Sequence, residues 1–425
     1  LKKPPQKNDA RGLALKILGE VLDGGAFASE RLDSHLNRHG LSDAERSLCT
    51  QLVYGVLREK GFLDQVLRAY VTAARTPKAQ ARLLALAVYQ GLFLEKIPDY
   101  ALVNESVESA KANFGIPASR MVNAVLRRFL ADREKWRSEV PRRLPQVLPA
   151  WLYRRWQGRY APERLSRMLQ YYQGLPPIGL RVHAGRADPD RILNQCRKQG
   201  LEGQRWEGSP ILLLQRYDRN TLQPWLLEGL ASVQDPHSYQ IAAQVAARVE
   251  DEVLDVCAGH GGKSSAIAEQ RGAGSKLWVH EPQAQQLREL RENFQRLGLD
   301  TPLVFRDSQA ALESGRRFDW ILIDAPCSGL GTLGRKPEIR WRVQEMELQE
   351  HGKLQAKILQ EWSPLLKPGG RLVYAVCSLE PEEGEGVIRG LLAKSPDLEL
   401  LESRELSPAD SPGDGFFLAN LRRRD

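Results

Sequence analysis

Apolar residues return every three or four positions from Asp9 to about Asp132: in Leu13, Leu15, Ile17, Leu18 and Val21, then in Leu48, Leu52, Val53, Val56 and Leu57, then in Leu83, Leu84, Leu86, Ala87 and Leu92. That spacing collects them on one face of a helix, and no strand-like alternation interrupts it, so a helical bundle of about a hundred residues is predicted. Ser42 with Glu45 three residues later has the makings of a capping box for the second run. The longest apolar stretch, Leu83 to Leu94, is interrupted by Gln90. It falls short of the roughly 20 residues a bilayer helix needs, so no membrane span is expected.

The helical rhythm then lapses. Val140 to Pro149 is rich in Pro and Arg and reads as a linker. Between Trp151 and Gly229, helical stretches alternate with short apolar runs, Ile178 to Val182 and Ile211 to Leu214, which predicts a small mixed α/β module. From Glu252 onward the order is strand, loop, helix. Strands are predicted at Val253 to Cys257, Leu277 to His280, Leu303 to Phe305, Trp320 to Asp324 and Leu372 to Val376, with helices at Lys263 to Gln270, Ala284 to Leu297 and Glu345 to Leu366. Such alternation predicts a parallel, Rossmann-like sheet covered on both faces, with ligands at the carboxyl ends of its strands. The expected division is 1–139, 140–230 and 231–425.

Charge changes this picture more than overall composition does. Residues 1–240 carry 37 Lys plus Arg against 24 Asp plus Glu, whereas 241–425 carry 24 against 29. A polyanion-binding front half is implied. Aromatic and basic side chains interleave in Trp151, Tyr153, Arg154, Arg155, Trp156, Arg159 and Tyr160, a mixture able to stack on bases and meet phosphates, which points to RNA. The five cysteines are scattered with no CxxC pair, so neither a disulfide framework nor a zinc knuckle is expected, and a reducing cytoplasm fits. Leu1 to Ala10 is polar and basic, so no signal peptide is expected.

Each predicted strand ends at residues of chemical interest. After the first come Cys257, Ala258, Gly259, His260, Gly261, Gly262, Lys263 and Ser264 at the start of a helix, where glycines and exposed N–H groups let a ligand approach closely. The segment departs from both the phosphate-binding loop, which would need Gly at 257, and the GxGxxG dinucleotide pattern. The second strand ends at Glu281, placed to accept hydrogen bonds from ribose hydroxyls, and the third at Asp307, placed to meet an adenine amino group. Paired carboxylates would repel a pyrophosphate, so S-adenosyl-L-methionine is the better match.

The fourth strand is followed by Asp324, Ala325, Pro326, Cys327, Ser328 and Gly329, the fifth by Cys377, Ser378, Leu379, Glu380, Pro381, Glu382 and Glu383. Two cysteines where substrate would lie, with an Asp three residues before one of them, point to covalent catalysis. Cytosine C5 is too weak a nucleophile to take a methyl group from a sulfonium until a thiolate adds at C6. Spacing alone does not say which cysteine attacks. Asp324 is placed to bond the N3 and amino edge of the base.

Resemblance sharpens these readings. Leu52 to Arg58 (LVYGVLR), Ile97 to Lys111 and Met121 to Phe129 (MVNAVLRRF) resemble the NusB-type helical RNA-binding domain. DAPCSG (Asp324 to Gly329), LGTLGRKPEIRWR (Leu330 to Arg342), LKPGGRLVYAVCSLEPEE (Leu366 to Glu383) and GDGFF (Gly413 to Phe417) resemble the Sun/Fmu family of RNA cytosine-5 methyltransferases, and the whole chain resembles its branch acting on bacterial 16S ribosomal RNA. The resemblance implies that Cys377 is the nucleophile, that Cys327 assists product release and that Asp324 lies beside the target base. It also implies an S-adenosyl-L-methionine site made of Cys257, Ala258, Gly259, His260, Gly261, Gly262 and Lys263 with Glu281, Asp307 and Asp324.

The loop departs from the family's usual CAAPGGKT, having Gly259 and His260 in place of Ala and Pro. Losing the proline frees a φ angle and restores an N–H, which bears on cofactor affinity. Arg335, Lys336, Arg340, Trp341 and Arg342 follow the first cysteine and are expected to contact RNA backbone. The expected activity is methyl transfer to a cytosine of 16S ribosomal RNA by a monomer with no membrane partner. The rival readings are a transfer RNA substrate and a non-catalytic RNA-binding or assembly factor.

Overall fold

The computed structural model describes residues 9–95, 97–272, 274 and 276–425. Most of the polar, basic opening stretch therefore lies outside the described residues. The chain divides into two compact units, one made of residues up to Leu175 together with Leu333–Val343, the other of Pro176–Thr332 with Gln344–Asp425.

The first unit is helical, as the periodicity predicts. Its helices Ala10–Leu22, Ala28–Arg38, Asp43–Arg68, Lys78–Phe93, Asp99–Phe114 and Ile116–Ala131 turn their apolar faces into one core that includes Ile17, Leu18, Leu52, Val53, Leu84 and Phe129. Ser42 and Glu45 form the capping box: Glu45 donates its N–H to the Ser42 hydroxyl at 3.4 Å, and its carboxylate accepts the Ser42 N–H at 3.0 Å. Among the described residues no helix is long and apolar enough to cross a membrane.

The stretch read as a linker winds into two short 3-10 turns, Val140–Arg142 and Leu144–Val147, with Val147 and Leu148 buried. Helices Ala150–Arg159 and Pro162–Gln173 follow. The aromatic residues here correct an expectation. Trp156 and Tyr160 are buried, Trp156 packs on Tyr172 at 5.8 Å between ring centroids, and Arg159 and Arg164 lie over the Tyr160 ring. These two rings are core, not a platform for bases, because the aromatic positions fall on the inward stripe of their helix.

In the second unit, β1 (Ile178–Val182), β2 (Gly203–Arg205), β3 (Ile211–Leu214) and β4 (Ala231–Val233) form an antiparallel sheet in the order β2-β3-β1-β4. The larger sheet has seven strands: β5 (Val253–Val256), β6 (Leu277–His280), β7 (Leu303–Phe305), β8 (Phe318–Asp324), β9 (Leu366–Val376), β10 (Leu398–Leu406) and β11 (Phe416–Arg423), in the order β10-β11-β9-β8-β5-β6-β7. Strands β5 to β9 are parallel, and the purely parallel expectation is corrected at one edge, where β11 runs antiparallel to β9 and β10 to β11. β10 escaped the alternation test because it is an edge strand whose middle, Leu400 to Arg404, faces solvent. Charged edges of this kind prevent further strand pairing. Strand order reverses between β5 and β8, so a crevice is expected at their carboxyl ends.

Candidate active site

The glycine-containing loop leaves β5 at that reversal point. Cys257 sits at φ 63°, the one positive-φ residue other than glycine among the described residues, and Gly259 and Gly261 follow at 56° and 79°. Gly261 caps helix Gly262–Arg271 from the left-handed region, and a Cβ there would stand 2.8 Å from Leu290 Cγ, so glycine is required both by dihedral and by space. Burial, with the nearby Asp255, Asp324 and Glu281, pushes the Cys257 thiol up to about 12, so it remains a neutral part of the loop.

Carboxylates surround this loop. Glu281, buried at the end of β6, accepts the Gly259 N–H at 2.8 Å and the Gln283 N–H at 2.8 Å, which fixes the acid against the loop. Asp255 accepts the Ser264 hydroxyl at 2.5 Å through Oδ2, while its buried Oδ1 has no hydrogen-bond partner. Burial raises its pKa to about 7, against the pull of Ser264. Asp307 caps the short helix Ser308–Glu313 by accepting the Ala310 N–H at 2.8 Å and pairs with Arg306 at 2.8 Å; the Ala310 hydrogen bond, with Arg306, holds its pKa down. A loop flanked by Glu281, Asp255 and Asp324, one of them holding an orphaned oxygen, suits a ligand carrying positive charge, which S-adenosyl-L-methionine does on both its sulfonium and its ammonium group.

Lys263 and Asp324 join the two sides of the reversal point. The Lys263 Nζ is 2.5 Å from Asp324 Oδ2 and 5.3 Å from the centroid of the Phe416 ring. Burial pulls the ammonium's pKa down, but the charge and hydrogen bond of Asp324, helped by Cys377 and Asp255, outweigh it and leave the pKa raised. His260 turns outward instead. Well exposed, it pairs with Glu289 at 2.5 Å on helix Ala284–Leu297 and lines a cavity of about 430 Å³ with Arg181, Gln234, Gly262 and Arg296.

The two strand-end cysteines meet. Cys327 Sγ and Cys377 Sγ lie 3.1 Å apart, both half-exposed, with neither in a disulfide. The loops carrying them are tied through backbone: the Gly331 N–H donates to the Cys377 carbonyl at 2.9 Å, and the Gly415 N–H donates to the Gly331 carbonyl at 2.7 Å. A Cβ on Gly331 would lie 1.8 Å from the Gly415 oxygen, so the approach of the GDGFF turn depends on that glycine. The cysteines, Asp324, Lys263 and the glycine loop thus share one edge of the sheet, while Glu281 and Asp307 stand at the ends of the two strands beyond.

Sequence reasoning missed Glu383. Fully buried, it accepts the Ser328 N–H at 2.7 Å, the Ser328 hydroxyl at 2.6 Å, the Ser378 hydroxyl at 2.5 Å and the Gln355 amide at 3.3 Å. The available signal was that each cysteine is followed directly by a serine. The basic segment is corrected too. Arg340 is fully buried in the helical unit and donates to the carbonyls of Val147, Tyr172 and Leu333 at 2.8, 3.0 and 2.6 Å. Trp341 donates to the Leu57 carbonyl, and Arg342 to the carbonyls of Val21, Gly25 and Ala26. These three side chains secure their own segment and do not present donors to a phosphate chain.

Comparison with known proteins agrees with this architecture. Residues 242–422 match the family described as 16S rRNA methyltransferase RsmB/F, and residues 8–131 match the NusB family. The chain is 32% identical to the probable ribosomal RNA small subunit methyltransferase B of Bacillus subtilis, over 99% of this chain and 100% of that one. It is 30% identical to the ribosomal RNA small subunit methyltransferase B of Salmonella arizonae over the same shares. Among solved structures, that of PH0851 aligns with a TM-score of 0.79 over 98% of this chain and 100% of its own at 22% identity, a likeness of fold. A methyltransferase homolog protein from Pyrococcus horikoshii aligns with a TM-score of 0.57 over 67% of this chain and 99% of its own at 27% identity. The chain belongs to the RsmB/F family of 16S rRNA methyltransferases, enzymes that draw their methyl group from S-adenosyl-L-methionine.

Proposed function

We propose that this protein methylates C5 of a cytosine in small-subunit ribosomal RNA through a transient bond between Cys377 and C6 of the base. The observation that carries the reading is the 3.1 Å approach of the Cys327 and Cys377 sulfurs beside the Lys263–Asp324 pair. The glycine loop Cys257–Lys263, Glu281 and Asp307 would hold S-adenosyl-L-methionine, which supplies an electrophilic methyl group when bound.

Cys377 attacks C6 as a thiolate, and the C5–C6 electrons become available at C5. N3 takes up a proton from solvent as the adduct forms and returns it as the adduct collapses; the Asp324 carboxylate accepts the N3–H and amino N–H meanwhile, and Lys263 fixes the orientation of that carboxylate. Once C5 carries its methyl group, a water molecule takes the C5 proton, the double bond is restored, and the C6–S bond breaks with its electron pair returning to the Cys377 sulfur. Cys327 assists this release. The base must be unstacked for a sulfur to reach C6, so a single-stranded or flipped-out target is required. The basic front half supplies affinity for the phosphate chain.

The test is transfer of labelled methyl from S-adenosyl-L-methionine to unmodified 16S ribosomal RNA, with transfer RNA run in parallel. Label is expected at a ribosomal cytosine. Cys377→Ala should abolish transfer, and Cys327→Ala should accumulate a covalent protein–RNA adduct on denaturing gels. Absence of both label transfer and cofactor binding by calorimetry would refute an enzyme, and equal, adduct-free loss in the two variants would refute the assignment of roles.

A further inference from the structure

Two thiols 3.1 Å apart cannot both ionise without strong repulsion, so the pair holds a proton between them, and which sulfur keeps it decides which one attacks. The surroundings are not symmetric. Lys263 stands on the side of Cys377, whose charge helps hold the ammonium protonated, and Asp324 is its partner. Glu383, in the segment that follows Cys377, reaches across to the loop of Cys327. It takes both the N–H and the hydroxyl of Ser328, the residue after Cys327, but only the hydroxyl of Ser378, the residue after Cys377. All four of its contacts are donors, so it serves as a carboxylate, and it is buried where a neutral side chain would be cheaper. The Cys327 thiol stands well above its usual range, through its bond with Cys377, burial, and the charges of Cys377 and Glu383. Tyr374 from β9 also feels the charges of Cys327, Glu383 and Asp324, and Asp255 acts on Lys263.

We propose that Glu383 is a positioning residue whose charge keeps the shared proton on Cys327 and so leaves Cys377 as the thiolate. The inference rests on Cys377 being the nucleophile, and it adds a reason why the two similar sulfurs take different roles. An uncharged Gln at 383 could fill the same space and still accept from Ser328, so packing alone does not call for an acid there.

The experiment is alkylation of the full-length protein by iodoacetamide across pH 6 to 10, roughly spanning thiol ionisation, with the modified cysteine mapped by mass spectrometry. Because it needs no RNA, its result is independent of whether methyl transfer is detected. The wild-type protein should label Cys377 about tenfold faster than Cys327 near neutral pH, since the thiolate is the reactive form. Glu383→Gln should narrow that preference at least about fivefold and shift the pH profile of methyl transfer, with kcat reduced and KM for RNA within about twofold. Glu383→Asp should restore the preference. An unchanged preference in Glu383→Gln, or an Asp variant indistinguishable from Gln, overturns the proposal. If Glu383→Gln does not fold, the single variants decide: Cys327 in Cys377→Ala must titrate higher than Cys377 in Cys327→Ala, and the reverse order overturns it.

Discussion

Two cations drawn back from solvent, one in each unit, show how differently the same kind of charge can be used. Arg340 lies in the helical unit with its donors on three backbone carbonyls, and burial pushes its pKa down, to about 9, which still leaves it protonated at neutral pH. Lys263 lies at the sheet edge, partly buried, with a carboxylate as its partner, and its pKa is raised although burial opposes the charge. Carbonyl dipoles hold a cation in place without pairing its charge. A carboxylate within 2.5 Å sets up a local field that a reacting group beside it can feel. The first arrangement makes architecture, and the second, in the reaction proposed above, orients a carboxylate beside the target base, although in the sequence both residues are simply positive charges within motifs.

Substitution should separate the two. Arg340→Met leaves three buried carbonyls without their donors, and should cost roughly 3–5 kcal/mol of stability by denaturant titration. The kcat of the molecules that remain folded should change less than about threefold; a large fall would mean that the segment also acts in the reaction. Lys263→Met should do the opposite, lowering kcat on the order of a hundredfold, as removal of a preorganised charge does, with a smaller loss of stability. A melting transition lost together with activity would erase the contrast.

A buried third charge sharpens the comparison. Asp255, with a pKa near 7, holds its proton over the interval from its ordinary value of 3.8 upward, while the unfolded chain has already released it. Stability from this group therefore declines as pH rises from about 4 to 7 and stays reduced above that. Asp255→Asn should be near neutral at pH 4 and should gain on the order of 1–2 kcal/mol at pH 8, below the roughly 4 kcal/mol that three pKa units represent, since the new amide NH₂ is itself buried. Thermal melts at the two pH values read the difference, and a constant offset would contradict the assigned ionisation.

Strand ends were the legible part of this sequence. Short apolar runs that stop at a polar residue define β5 to β9, and Asp324 and Cys377 stand where those runs stop, so the candidate residues could be placed on the sheet before their geometry was known. Side-chain partners were harder to read. A guanidinium meets a phosphate or a carbonyl equally well, so the charge of Arg340 and Arg342 did not reveal that they hold their own segment. Glu383 was hidden because its contacts exist only when loops 50 residues apart are brought together, as Ser328 and Ser378 are. The β10–β11 hairpin was hidden because the solvent-facing centre of β10 interrupts the alternation that marks a half-buried strand.

The excursion of Leu333–Val343 bears on how the molecule is made. A ribosome delivers residues in order, and a leading domain ordinarily completes itself while the remainder is still being synthesised. Here the carbonyls of Val147 and Tyr172 must wait for a guanidinium that emerges more than a hundred and fifty residues later. The front unit can begin first but cannot finish first, and a gene cut after Leu175 would deprive it of the segment that completes it.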